Sequence, residues 1–513
     1  MNSKAAGITT FRPGSKDGAR DASSVPLLIY LLGSAFTCAV TAVLLLSLQG
    51  DFADAGIAIA AFFLAIGIMF VRLITGVFNA VSIISIITYC QFVLFIARPA
   101  YVVLFQDSIN IFTSAPYDQN YVYAQLFAGI GFATLCLVYS ISAGPMVKGA
   151  SKQQVRELPQ EEWSKIRPAL ITITCIGMTL YFLYILQTGW GNYWQGTLSG
   201  RSDEQRNALS SSSGYLYSGL QFATGAVLFL FLYSTVQRRR RLQVLSLVVL
   251  TITVFPQIAS GSRAVFIPII IAIIAALARV DPSVLSPRRI VLWLPTLIVL
   301  GFVAPRIWRD NLASGVSLSD SLAQALTPDE LFGGFLGGLD TAMVDAFAVQ
   351  ISAYENQSLP YLFGNSYLAA LTAAVPRAIW PGKPGSIDEY LNAQLFPATD
   401  AKGIGFAFSS YSEPTANFGL VGVICVFALF GLLVGKLARA AENSSSTIST
   451  FFYIMIAGYV FPLMRGSFTF NFQRVLIPLV PVLIAIVILQ LSKRNKERRS
   501  TDTSGRPSER VLS

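Results

Sequence analysis

Histidine is absent from this chain of 513 residues, and charge is scarce, with Asp, Glu, Lys and Arg together at 12%. Without histidine there is no imidazole general base, no His-ligated metal and no Ser-His-Asp triad. Ordinary soluble proteins carry roughly a quarter charged residues, so the shortage of charge excludes a string of soluble domains. Cysteine is sparse too. Cys38, Cys90, Cys136, Cys175 and Cys425 all fall inside apolar runs, with no CxxC pair. That is the pattern of small core hydrophobes rather than of disulfides or a metal site. The glycines of Gly333 to Gly338 match no Walker or dinucleotide pattern, and no internal repeat is present.

What the chain has in quantity is apolar residues, at 54% of the sequence, giving a mean hydropathy of +0.59. This composition predicts an all-α polytopic integral membrane protein. Apolar windows near 20 residues long give about twelve spans. They cover 25–48, 55–73, 77–97, 121–143, 168–187, 215–235, 242–259, 264–279, 290–305, 416–438, 448–464 and 472–491. Pro268 and Pro295 fall inside the two shortest, where proline kinks a membrane helix without forbidding it. The first apolar run is too long for a signal-peptide core and reads as a retained span.

The net charge of +10 fits cytoplasmic loops and acidic lipid headgroups rather than nucleic acid. Its distribution sets a sidedness. On alternate loops lie nineteen basic residues, among them Lys148, Arg156, Arg238 to Arg241, Arg279, Arg439 and Lys493 to Arg499. The opposite short loops hold five: Arg98, Arg201, Arg206, Arg263 and Arg465. The positive-inside rule then places both termini in the cytoplasm. The expected organisation is a cytoplasmic tail 1–24, spans one to nine in 25–305, a large external loop 306–415, spans ten to twelve in 416–491 and a cytoplasmic tail 492–513. At about 110 residues that loop is far longer than its neighbours, and insertions of this size are where membrane enzymes keep substrate-handling parts.

Candidate site residues follow from this layout. Arg98 precedes Pro99 at an outer helix end, and Arg263 closes the tight turn Ser260-Gly261-Ser262-Arg263. Arg306 and Arg309 begin the long loop, Arg465 occupies the turn between the last two spans, and Arg474 falls just inside the last one. The planar fork of arginine suits phosphate oxygens, although snorkelling and internal salt bridges explain such arginines equally well one by one. In Val375-Pro376-Arg377-Ala378-Ile379-Trp380-Pro381-Gly382-Lys383-Pro384, three prolines restrain the backbone that carries Arg377, Trp380 and Lys383. Two cations and an indole suit a sugar bearing phosphate. The alternative is a rigid loop whose Trp packs on the membrane interface. Before the tenth span comes Ser409-Ser410-Tyr411-Ser412-Glu413-Pro414-Thr415-Ala416-Asn417-Phe418-Gly419. Glu413 reads as a helix cap or, in a desolvated site, as a general base. Asp340 and Asp345 lie five apart and make a poor carboxylate pair on a helix.

Taken together, the SGSR turn, the PRxxWPxKP loop, the SxxEPTxNFG lead-in to a late span and the twelve-span layout resemble the Wzy-type O-antigen and exopolysaccharide repeat-unit polymerases. The motifs fall within residues 255–480, and the first 250 residues match in span layout alone. The resemblance implies a GT-C-like architecture in the bacterial inner membrane. It implies transfer of an undecaprenyl-pyrophosphate-linked glycan to another lipid-linked repeat unit. The chemistry expected is independent of cofactor and metal, although carboxylates alone can bind Mg²⁺. It implicates Glu413, Arg263 and Arg377 in catalysis. Arg98, Arg306, Arg309, Trp380, Lys383, Tyr411, Asn417 and Arg465 would bind substrate. A chain-length regulator and a flippase of the same pathway are the protein partners to expect, with no nucleic acid. The related O-antigen ligases use a periplasmic histidine, which this chain lacks. A flippase for the same lipid-linked sugars would line its span midpoints with charge, and most spans here are bare there. A scaffold without activity would need neither Arg263 nor Glu413.

Overall fold

In a computed structural model, the protein is described over residues 24–49, 51–76, 82–105, 118–145, 159–193, 213–259, 263–286, 341–372, 385–401, 405–443 and 447–504, with isolated positions between 289 and 382. These residues form helices and no strand. The apolar runs become α1 (Ser24–Leu44), α2 (Phe52–Thr75), α3 (Ile83–Phe92) continued through a π turn into α4 (Arg98–Phe105), and α5 (Gln119–Ala143). Next come α6 (Gln160–Thr188), α7 (Ser213–Val236), α8 (Arg240–Ala259) and α9 (Arg263–Val280). The later part supplies α10 (Met343–Glu355), α11 (Asn365–Leu371), α12 (Ile387–Leu395) and α13 (Pro397–Asp400). It ends in α14 (Ser412–Asn443), α15 (Thr447–Arg465) and α16 (Phe468–Ser504).

Among the described residues nine helices are long and apolar enough to cross a membrane. The protein is a multi-pass membrane protein. Two of the twelve expected spans, 242–259 and 264–279, are helical as α8 and α9 but fall outside those nine, α9 contributing only the shorter apolar helix Phe266–Val280. The expected span 290–305 lies outside the described residues.

Two apolar cores share α15. One joins α2, α3, α5, α10, α14 and α15, and the other joins α6, α7, α8, α9, α15 and α16. Backbones meet closely where glycine leaves room: a Cβ on Gly431 would sit 2.6 Å from the Leu135 carbonyl oxygen, so α14 lies directly on α5. Small residues at such contacts let membrane helices gain dispersion where lipid offers no hydrophobic drive. Within the segment 306–415, read from the sequence as a loop, α10 packs against α5 and buries nearly its whole length.

The bundle has two chemically distinct ends. At one, Arg239 donates to Gln160 Oε1 at 3.4 Å and Arg279 donates to the Ala441 carbonyl at 2.6 Å. At the other, the ends of α3 and α15 meet the starts of α5, α14 and α16, and α10 to α12 cover them. Polar side chains are buried there.

Candidate functional site

The centre of that polar end is the turn Arg465-Gly466-Ser467-Phe468 between α15 and α16. The first amides of any helix lack intrahelical acceptors. In α16 one of these, the Thr469 amide, donates to Glu413 Oε2 at 2.9 Å. The Thr469 hydroxyl also bonds Glu413, and Ser366 Oγ donates to Glu413 Oε1 at 2.8 Å. Glu413 is 0% exposed. It is therefore a cap, as one reading of the sequence had it, but for α16 rather than for its own helix.

Asn417 completes the junction. Its Nδ2 donates to Ser366 Oγ at 2.7 Å and to the Glu413 carbonyl at 2.8 Å, while its Oδ1 accepts from the Gly364 amide at 2.7 Å. This is possible because α14 breaks at Phe418 and Gly419, the latter at φ 60 and ψ −146, a region that favours glycine. The break frees the Ala416 carbonyl, which accepts from the Leu362 amide at 2.9 Å. The short turn from Ser412 to Asn417 thus becomes a bracket for α11 and α16.

Arg98 and Tyr411 were expected at the substrate, and both are engaged internally. Arg98 Nη2 is 3.0 Å from Asp345 Oδ2, both side chains are 2% exposed, and the Arg98 guanidinium also donates to the carbonyls of Leu336 and Gly338. This pair pins the start of α10. Tyr411 donates to Gln91 Oε1 at 2.8 Å and stacks on Phe427 with ring centroids 4.3 Å apart. Its ring is wholly buried between α3, α5 and α14. Arg465 is partly exposed at the end of α15, and Trp380 is 40% exposed. Arg263 opens α9, but its side chain lies outside the described residues, as do Arg306, Arg309, Arg377 and Lys383.

A residue that sequence reasoning passed over lies at the same turn. Asp388, in the first turn of α12, accepts from Ser467 Oγ at 2.6 Å through Oδ2. Burial pushes its carboxyl up to about 6, against the hydrogen bonds of Ser467 and the charge of Arg474, with Glu389 adding to the rise. Nearby, burial and the Glu413 carboxylate raise the Tyr367 hydroxyl. Ser366, Ser467 and Thr469 were missed as well. Their only signal was proximity in sequence to the loop and turn already singled out.

A family model for the O-antigen polysaccharide polymerase Wzy matches residues 38–496. The chain belongs to the Wzy family. As a Wzy protein it is a multi-pass membrane enzyme of the glycosyltransferase-like polymerases, and its substrates are lipid-linked oligosaccharides. Comparisons with curated proteins and with solved structures return no match. The Wzy match spans all the helices that converge on the polar junction, from α2 to the membrane part of α16. A narrow apolar crevice, lined by Phe427, Phe430, Leu463 and Phe468 with Ser410 as its polar member, adjoins the same turn.

Proposed function

We propose that this Wzy polymerase transfers an undecaprenyl-pyrophosphate-linked glycan to the non-reducing end of a second lipid-linked repeat unit at the outer face of the inner membrane. A GT-C-like architecture with both termini in the cytoplasm goes with this reading. The observation that carries it is the convergence of α3, α11, α12, α14, α15 and α16 on one buried polar junction, at the end opposite the basic residues Arg239 and Arg279. The basic asymmetry of the sequence supports facing that junction outward.

In this reading the side chains divide into holders and binders. Glu413, Asn417, Tyr411 and Arg98 hold the site: each is buried and has intramolecular partners. Glu413, expected as the general base, has donors on both oxygens and acts as an anchor. Arg263, Arg377 and Arg465 take the pyrophosphate, whose charge grows as it leaves, so fixed guanidinium groups there lower the barrier. Trp380 stacks on sugar, and Lys383, Arg306 and Arg309 supply further cations. A chain-length regulator and a flippase act on the same glycans in this scheme.

A deletion strain tests the reading. Loss of long chains with single repeats still on the lipid carrier supports a polymerase. Accumulation of unflipped repeats on the cytoplasmic face would identify a flippase instead.

A further inference from the structure

Two carboxylates are held by one turn. Ser467 bonds Asp388 of α12 and Thr469, two residues later, bonds Glu413 of α14. Their surroundings differ. Glu413 is 0% exposed and has three donors on its two oxygens. Asp388 keeps partial exposure and draws its donors from one residue, Ser467, whose hydroxyl bonds Oδ2; its Oδ1 is enclosed with no hydrogen-bond partner. A shielded carboxylate oxygen without a donor is costly and rare in folded proteins. The cost disappears when a ligand hydroxyl takes the position.

We propose that Asp388 is the base of the polymerase, its Oδ1 accepting the proton of the attacking sugar hydroxyl. This rests on the glycosyl-transfer reading above. In the step, the acceptor O–H bond gives its proton to Asp388 Oδ1. The freed electron pair makes the new C–O bond at the anomeric carbon of the donor, and the bond from that carbon to the pyrophosphate breaks. The pair from that bond leaves with the lipid pyrophosphate, and Asp388 then passes its proton to water.

The charges around Asp388 suit the task. Arg474 on α16 favours the ionised form, whereas Glu389 on its own helix and Glu413 on α14 oppose it. On α10, packed against α12, Tyr354 is kept protonated by burial. A carboxyl held near 6 is ionised at neutral pH yet more basic than a free aspartate, which is the compromise a general base requires.

The experiment uses the full-length protein in proteoliposomes with an undecaprenyl-pyrophosphate-linked repeat unit extracted from a polymerase-deficient strain. Elongation is followed in single turnovers from pH 5 to 9, and donor binding through thermal shift. Asp388→Asn is expected to lose about 10²–10⁴-fold in rate with donor binding retained. Ser467→Ala removes a donor that lowers the Asp388 pKa, so the acid limb of its pH–rate profile moves to higher pH. A role limited to structure would leave that limb in place. Asp388→Asn turnover within tenfold of wild type, or an unmoved limb in Ser467→Ala, overturns the inference while leaving the polymerase reading intact. A wild-type protein that fails to elongate the repeat unit overturns the polymerase reading itself.

Discussion

Thr469 and Glu413 face each other across 2.9 Å, with the backbone amide of the first donating to the carboxylate of the second. They are 56 residues apart in sequence, and the contact ties the first turn of α14 to the first turn of α16. Ser366 of the same junction bonds this carboxylate, and Asn417 bonds both Ser366 and the Glu413 carbonyl.

Glu413→Gln puts an amide NH₂ among the three donors that converge on the carboxylate, so donor meets donor in a buried place. An unsatisfied buried group costs about 1–3 kcal/mol. The variant is expected to melt several degrees below wild type in detergent, and to keep the wild-type acid limb in any residual activity. If it melted with the wild type and lost turnover alone, Glu413 would return to the role of general base.

Arg98 and Asp345 form a pair that removal of one partner leaves as an uncompensated buried charge, at a cost of about 3–5 kcal/mol. Arg98→Ala is therefore expected to express poorly and melt early. Arg98→Met combined with Asp345→Leu recovers much of the loss, because neither charge is stranded. Thermal melting of the two proteins checks this. A double variant no better than Arg98→Ala would show that the guanidinium bonds to the Leu336 and Gly338 carbonyls dominate.

The raised Asp388 carboxyl has a consequence for stability. Its folded value, about 6, lies above the ordinary aspartate value, so the folded state binds this proton more tightly than the unfolded chain does. The associated stability is present at low pH and is lost as pH rises through 6. Asp388→Asn removes the ionisable group, and is expected to melt a few degrees above wild type at pH 7.5 and level with it near pH 4. Equal melting temperatures at pH 7.5 would mean that Asp388 carries no such strain.

Arg377→Ala and Arg263→Ala are expected to abolish polymerisation in cells while the protein still inserts. Each deletes a fork donor assigned to pyrophosphate, and such charge-assisted bonds are worth about 1.5–3 kcal/mol each. Lysine replacements rescue poorly, because a point charge cannot make the bidentate contact. Wild-type chain lengths in either alanine variant would remove that arginine from the site.

Most membrane helices were legible because hydropathy is a local property, but α4 lies beyond the expected run 77–97, α6 begins before 168 and α16 continues past 491 to Ser504. α10 was not legible. Its 13 residues include Asp345, so it read as loop, and only its partner Arg98, 247 residues earlier, makes its burial affordable. The SxxEPTxNFG stretch stands out in the sequence, but periodicity could not say that its polar side chains turn inward on Ser366 and Thr469. Asp388 had no local mark beyond a capping box at Ser386 and Glu389, because the group that singles it out, Ser467, is 79 residues away.

Sidedness is open to a direct check. Asn356, exposed after α10, replaced by cysteine in a chain freed of its five native cysteines, is expected to react with an impermeant maleimide from the periplasmic side. Labelling from the cytoplasmic side alone would invert the topology and move the junction to the wrong face for lipid-linked polymerisation.

The most direct test of the central claim is reconstitution of the purified chain, alone, with undecaprenyl-pyrophosphate-linked repeat units as sole substrate. A ladder of lipid-linked products growing by whole repeats, with one lipid pyrophosphate released per addition, is the expected result. Repeat units that cross the bilayer or stay single, with no lipid pyrophosphate released, would contradict it.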